Sequence, residues 1–340
     1  MRRIVDRKDF QEEEDGLIAR KRTLYDGLER DLEILELGDL EMEEGLDYIS
    51  LVKTRGMGIA SLRLAGLDIF WTSPVSQHVS PTFLEARDMN LLATAKEGMF
   101  RAGPFHIGGP EGEHPLHGSV SFTPARDVLM ELHDGMGLVQ GTLLFESLFG
   151  PLLRIETKTI FLPAESMVTV KDTVINDSRE RSCTHMYMFH ANCNPLSPHG
   201  TLHGRLQKTE PRDDAAEEHL RDFRRFGPSE PLFQEQVFYH WPARDSRGFC
   251  RMAIVHEDRE KALSVAYGPG FPLLVQWKCL RMDFQVCGLE GSTSKVEGAL
   301  VEEEEGRLIE LEPEESREYE ACFQAHIGKE AVEALLSEVD

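Results

Sequence analysis

Three short stretches of the sequence gather side chains able to move protons. Glu113-His114-Pro115-Leu116-His117-Gly118 sets two histidines beside a proline and a glycine, just ahead of the run SVSF. His190-Ala191-Asn192-Cys193-Asn194-Pro195 follows the apolar run MYMF, and strand periodicity puts His190 and Asn192 on one face. Phe284 to Thr293 ends in Gly288-Leu289-Glu290-Gly291, with one carboxylate expected at a strand end. A carboxylate with one or two imidazoles is a general acid/base set. Their reference pKa values, about 4.3 for the carboxyl and about 6.5 for the imidazole, both lie below neutrality, and burial pushes the carboxyl up and the imidazole down. Each residue alone also reads as a hydrogen-bonded structural histidine or a solvated turn glutamate.

Other site types are poorly represented. The chain has no GxxxxGK[ST] loop, no GxSxG elbow and no HExxH helix, and Gly56-Met57-Gly58 lacks the third glycine of a dinucleotide fingerprint. A metal reading would draw on His114, His117, His199 and His203. The His199/His203 spacing suits a helix, which Pro198, Gly200 and Gly204 oppose.

The elements that must carry these residues read as strands. From about residue 50 to 327, short β-rich runs alternate with Gly, Pro, Asn and Asp, clearest in DVLMELHD, LVQGTLLFESL, LLRIETKTIFL and MVTVKDTVI. Four such runs in succession predict an antiparallel meander, and more than a dozen strands predict two packed sheets. Helix is expected only in the charged N-terminal segment, at Asp213 to Phe226 and at Lys329 to Val339. The expectation is a single all-β domain over 1–340, with a charged lead-in at 1–45, a surface insertion at 210–226 and a short C-terminal helix at 328–340.

The 340 residues include 60 acidic against 37 basic side chains, a net charge of −23. That balance disfavours nucleic acid and anionic membrane as partners. The last forty residues hold 14 acidic and 3 basic side chains, and the run Glu302 to Glu305 reads as a solvated face. Six cysteines without a CxxC, and a start, MRRIVDRKDF, without a long apolar stretch, point to a cytoplasmic protein. Asn176-Asp177-Ser178 then reads as a turn, not a glycosylation site. The oligomeric state is open.

The order of motifs resembles the aldose 1-epimerase (galactose mutarotase-like) superfamily: Pro115 to Gly118, then Val174-x-Asn176-x-Ser178, then His190-x-Asn192 in a turn, then Glu290. More narrowly it is similar to an uncharacterised branch, the domain of unknown function 4432, through Arg55-Gly56-Met57, Trp71-Thr72-Ser73-Pro74, Leu116-His117-Gly118, Glu235-Gln236-Val237-Phe238 and Gly288-Leu289-Glu290. Gly58 stands where the branch has Asp, Gly291 where it has Pro, and the stretch before PLHG differs from the usual Gly- and Thr-rich run. The resemblance implies a β-supersandwich of two large antiparallel sheets, a small-molecule sugar as partner and no cofactor. It implies Glu290 as the base on the anomeric hydroxyl, His190 as the acid at the ring oxygen and His117 as a second imidazole. It also implies Glu235, Arg55 and Asn192 as hydroxyl ligands, and Trp277, with Trp71 or Tyr239, as an apolar platform. A non-catalytic sugar binder and a metal-dependent aldose-ketose isomerase remain alternatives.

Overall fold

A computed structural model of the chain describes residues 1–39 and 47–340. Alternation shapes several of its long strands. Every second residue is buried throughout Leu152–Leu162 and Met167–Asn176 and as far as Leu143 in Met136–Glu146, and the three pair antiparallel with Gly137 opposite Phe161 and Leu153 opposite Asn176. They sit in a nine-stranded sheet ordered Arg2–Ile4, Arg126–His133, Met136–Glu146, Leu152–Leu162, Met167–Asn176, Ser316–Ile327, Lys261–Tyr267, Cys250–Val255, Thr201–His203. The second sheet has twelve strands, ordered Leu206–Pro211, Gln236–Pro242, Leu273–Leu280, Gln285–Ser292, Met188–Cys193, Met99–Ala102, Gly58–Leu64, Tyr48–Val52, Glu33–Asp39, Leu17–Thr23, Phe10–Glu14, with Leu67–Asp68 paired to Gly58–Leu64. The main core lies between the sheets, where Met130, Leu143, Ile155, Phe161 and Val170 meet Leu35, Leu51, Ile59, Phe189 and Leu289. Each such side chain stabilises the fold by about 1.5–3 kcal/mol.

One ion pair bridges the sheets inside this core. Arg101 donates from Nε to Asp172 Oδ2 (2.5 Å), from Nη2 to Asp172 Oδ1 (3.1 Å) and Thr157 Oγ1 (2.6 Å), and from Nη1 to the carbonyls of Met57 (2.6 Å) and Gly56 (3.1 Å). The Tyr187 hydroxyl donates to Asp172 Oδ2 at 2.6 Å. The five guanidinium donors therefore all have acceptors. The Arg55-Gly56-Met57 motif supplies two of them, and its turn requires glycine: Gly56 has φ +59°, and a Cβ there would lie 2.6 Å from Val120 O.

Four expectations are corrected. Apart from one 3-10 turn, Gly27–Glu29, residues 1–39 form strands of both sheets instead of a lead-in or an α-helix, because their charges pair across strands, Arg20 Nε with Glu36 Oε2 at 2.7 Å and Lys21 Nζ with Glu33 Oε1 at 2.9 Å; the remainder of the expected 1–45 lead-in lies outside the described residues. The 210–226 stretch is not simply a surface insertion. It holds only a short helix, Asp214–Glu218, and then packs Phe226 into the core, with Leu202 N donating to Arg224 O at 2.7 Å. The Glu302–Glu305 run lies largely in a helix, Ala299–Glu304, with Glu303, Glu304 and Glu305 exposed as expected, but Glu302 is fully buried because Arg307 donates to both its oxygens, from Nε at 2.6 Å and Nη2 at 3.0 Å. His190 and Asn192 lie within the strand Met188–Cys193, not in a turn. A C-terminal helix, Lys329–Val339, packs Val332, Leu335, Leu336 and Val339 on Ala253, Val255 and Ala262. Among the described residues no helix is long and apolar enough to cross a membrane.

Candidate active site

The outer face of the twelve-stranded sheet is buried as well. In Met188–Cys193 the odd-numbered Phe189, Ala191 and Cys193 enter the inter-sheet core, so Met188, His190 and Asn192 point the other way. There Met188, Phe100, Val237, Val275, Leu91 and Val296 form a second apolar cluster, which explains why this strand is apolar and buried throughout. The neighbouring strand Gln285–Ser292 divides likewise: Cys287 and Leu289 face the core and Glu290 faces outward. Together with the loop that carries His117, these strands enclose a cavity of about 310 Å³ lined by His117, His190, Asn192, Glu235, Trp277 and Glu290.

Glycine places the carboxylate. A Cβ on Gly288 would fall 2.3 Å from Glu290 Oε1 and 3.0 Å from Trp277 Cβ, so the missing side chain is the space the carboxyl group occupies. A Cβ on Gly291, where the related branch has proline, would lie 2.5 Å from the Tyr267 ring, and Tyr267 Oη donates to Leu289 O at 2.6 Å. Glu290 Oε1 then lies 3.3 Å from His190 Nε2. The His190 ring stacks on Phe100 (centroids 4.4 Å, 20° between planes) and meets His117 edge-on at 5.3 Å and Trp277 at 5.8 Å. Trp277 Nε1 donates to Glu235 Oε2 at 2.9 Å, and Trp71 packs on Trp277 at 5.9 Å.

His117 is held in a strained backbone. Its φ is +57°, a region L-residues with bulky side chains rarely adopt at a cost of about 1–3 kcal/mol. Its N–H donates to Gly108 O and its carbonyl accepts from Gly103 N, both at 2.9 Å. The adjoining Gly118 could not carry a Cβ, which would meet Gly103 O at 2.2 Å.

Burial governs the proton affinities. It raises the Glu290 carboxyl well above the usual range, with the Glu235 charge adding to the rise. It lowers His190 well below the ordinary imidazole value, aided by His117, and it lowers His117 to about 3, aided by His106 and Arg212. Among the described residues, Glu290 Oε1, His117 Nδ1, His190 Nδ1 and Asn192 Oδ1 are buried without a hydrogen-bond partner. Other buried atoms, such as Arg55 Nη2 and Glu97 Oε2, are also unpaired, but these four belong to residues that line one cavity, where a polar ligand could pair with them.

The structure brings six of the seven expected residues together: Glu290, His190, His117, Asn192, Glu235 and Trp277. Arg55 does not join them. It is buried, with Nε donating to Glu97 Oε1 at 2.6 Å and Nη1 to Val79 O at 3.1 Å. Burial alone would raise the Glu97 carboxyl, but the Arg55 charge overrides it and, with His78, brings it to about 2. The Glu97 carbonyl accepts from Asn192 Nδ2 at 3.1 Å and Trp71 Nε1 at 3.3 Å, so Arg55 supports the cavity wall from behind. Tyr239 is buried in the second apolar cluster with its hydroxyl on Glu297. The four-histidine metal set does not assemble: His203 pairs with Asp340 at 2.9 Å on an edge strand of the other sheet, and His114 stacks on His106. No group of three His, Cys, Asp or Glu among the described residues could hold a metal ion. Arg212 and Phe100 line the cavity unanticipated. Phe100 was foreseeable from the apolar run around it, whereas Arg212 lay in a stretch whose many charges concealed it.

The fold has solved relatives. A candidate aldose 1-epimerase from Klebsiella pneumoniae superposes with a TM-score of 0.91 at 22% identity, over 98% of this chain and 91% of that one. A galactose mutarotase-like protein from Clostridium acetobutylicum gives 0.67 at 13% identity, over 92% and 100%. Galactose 1-epimerase from Lactobacillus acidophilus gives 0.57 at 12%, over 91% and 99%. At these identities the likeness establishes the galactose mutarotase-like fold. No curated protein sequence matches significantly. A family model described as a domain of unknown function, DUF4432, matches residues 37–325.

Proposed function

The chain belongs to the DUF4432 family, and from that premise we propose that it is a sugar mutarotase that opens and recloses a cyclic hemiacetal by paired proton transfer. The observation that carries this reading is the 3.3 Å approach of Glu290 Oε1 to His190 Nε2 at the base of the cavity. Burial disfavours the ionised form of each group, raising the carboxyl and lowering the imidazole, so the proton of the pair rests on Glu290 and passes across the 3.3 Å contact to His190 before the sugar reacts. With that proton on His190, Glu290 is the base. It takes the anomeric hydroxyl proton while His190 protonates the ring oxygen; the C1–O5 bond breaks and an aldehyde forms. Rotation about C1–C2 and the reverse transfers give the other anomer and restore the starting protonation.

The supporting residues follow from their positions. His117, neutral because burial lowers it to about 3, adds no second charge beside His190 and offers its unpaired Nδ1 to a hydroxyl. Asn192 Oδ1 accepts from another. Glu235 fixes the Trp277 indole, whose face suits pyranose C–H bonds. The aldose 1-epimerases and mutarotases of the same fold are consistent with a free sugar as substrate. Burial of Glu290 in its protonated form favours a second reading, a cleft that binds sugar without turning it over. NMR exchange between anomers, run on a panel of free neutral and acidic sugars with and without chelator, separates the two. Catalysed exchange that persists in chelator is expected. Saturable binding with exchange at the spontaneous rate would replace the mutarotase reading by the binder, and loss in chelator restored by zinc or manganese would replace it by the isomerase.

A further inference from the structure

A second cavity lies on the other sheet. On the outer face of the nine-stranded sheet, beside the end of the Lys329–Val339 helix, a cavity of about 540 Å³ is lined by Arg205, Arg244, Arg247 and Arg251. A chain with net charge −23 repels anions over most of its surface, yet here four arginines outnumber the lining carboxylates Asp245, Glu320 and Glu338.

The arginines are not equally neutralised. Arg251 Nη1 lies 2.8 Å from Glu338 Oε2, and Arg247 Nη2 lies 3.4 Å from Asp245 Oδ2. Arg244 has no such partner: Nη1 donates to Gly248 O at 2.7 Å and Gly268 O at 3.4 Å, and Nη2 donates to Phe271 O. Arg205 Nη2 donates to the main-chain oxygen of Glu338. Neither guanidinium forms an ion pair with a carboxylate among the described residues. Neutral carbonyls orient these two cations without cancelling their charge. A fixed guanidinium with charge to spare is what phosphate recognition uses, because its fork matches two phosphate oxygens.

The rest of the wall is apolar. Phe249 lies in it with the Arg247 guanidinium 5.5 Å from its ring centroid, and Met167 and Val339 flank it. The volume falls within the range of small-molecule sites and exceeds that of the acid/base cleft. We propose that this cavity binds a small phosphorylated metabolite, its phosphate held by Arg205 and Arg244 and its organic part against Phe249. Glu338 competes with the ligand for Arg251, so the site carries its own internal anion.

Calorimetric titration of the full chain with ADP, glucose 6-phosphate, inorganic pyrophosphate and citrate tests this. At least one organic phosphate is expected to bind more tightly than pyrophosphate or citrate. Because Arg244 also clamps three carbonyls, the variant to use is Arg205→Ala with Arg247→Ala, both exposed, with its melting temperature recorded. Binding should weaken roughly tenfold or more in that variant, while Glu338→Gln should tighten it several-fold. Affinity unchanged in the double variant, citrate binding as tightly as every phosphate, or no phosphate binding at millimolar concentration would each overturn the proposal. So would binding that survives the arginine substitutions and is lost in Trp277→Ala, since that ligand would occupy the sugar cleft.

Discussion

Arg101–Asp172, which joins the two sheets across the core, and His190–Glu290, on the outer face of the twelve-stranded sheet, are two ionisable pairs on opposite sides of that sheet, and both are almost wholly withdrawn from solvent: Glu290 is 1% exposed and Asp172 0%. They differ in what surrounds them. The five donors of Arg101 all have acceptors, and its charge is balanced by Asp172. His190 Nδ1 and Glu290 Oε1 have no partner, and two more orphaned atoms, on His117 and Asn192, face the same space. Burial alone therefore does not distinguish these two pairs; the completeness of their hydrogen bonding, together with an adjoining cavity in the second case, does.

The sharpest test of that distinction is Glu290→Gln. It keeps the volume but cannot accept a proton, so anomeric exchange should fall on the order of a hundredfold to ten-thousandfold while sugar affinity changes little. Exchange at the wild-type rate, read by NMR on a sugar the parent turns over, would remove Glu290 from the mechanism. Arg101→Met should do the reverse. It strands Asp172 in the core and should lower unfolding free energy by about 3–5 kcal/mol in urea titrations, with exchange per folded molecule largely retained. A stable Arg101→Met variant would mean that the inter-sheet pair is dispensable and the contrast misdrawn.

pH dependence sharpens the comparison from another side. His117 titrates near 6.5 unfolded and about 3 folded, so between those values the unfolded chain binds the extra proton. Stability should accordingly fall as pH drops from 6.5 toward 3, and His117→Asn should remove up to about 1.4 kcal/mol per pH unit from that slope. Glu290 acts with opposite sign: its raised folded pKa makes stability decline as pH rises above 4.5, and Glu290→Gln should flatten that limb. Urea unfolding at stepped pH measures both. The smallest effect belongs to Trp277→Phe, which keeps an aromatic face and loses the bond to Glu235. A weakening of sugar binding by about 0.5–1.5 kcal/mol is expected, and no change would mean that the indole N–H orients nothing the ligand feels.

The sheet architecture was legible because alternation in stretches such as Met136–Glu146 is a local property. The cavity was legible because glycines and histidines with steric or protonic constraints kept their order along the chain. Arg55 was misplaced for a physical reason: a guanidinium has the same sequence signature whether it faces a ligand or a carboxylate, and its partner Glu97 is 42 residues away. The N-terminal strands were hidden by their charges, which neutralise one another only once Leu17–Thr23 and Glu33–Asp39 are paired. Arg212 was hidden in the same manner, since nothing local shows that it follows a strand ending at the cavity rim.

The acid/base pair and its companions have different mechanical origins. Glu290 and His190 come from hydrogen-bonded neighbours deep in a twelve-stranded sheet, so the interval between them is set by the strand spacing of about 4.8 Å. His117 and Arg212 come from connections, whose length and course can drift. Insertions or deletions in those connections can reshape which hydroxyls are recognised while the interval between proton donor and acceptor stays fixed. On the mechanism proposed above, such a division would let the connections change which sugar is taken without disturbing the pair that moves its protons.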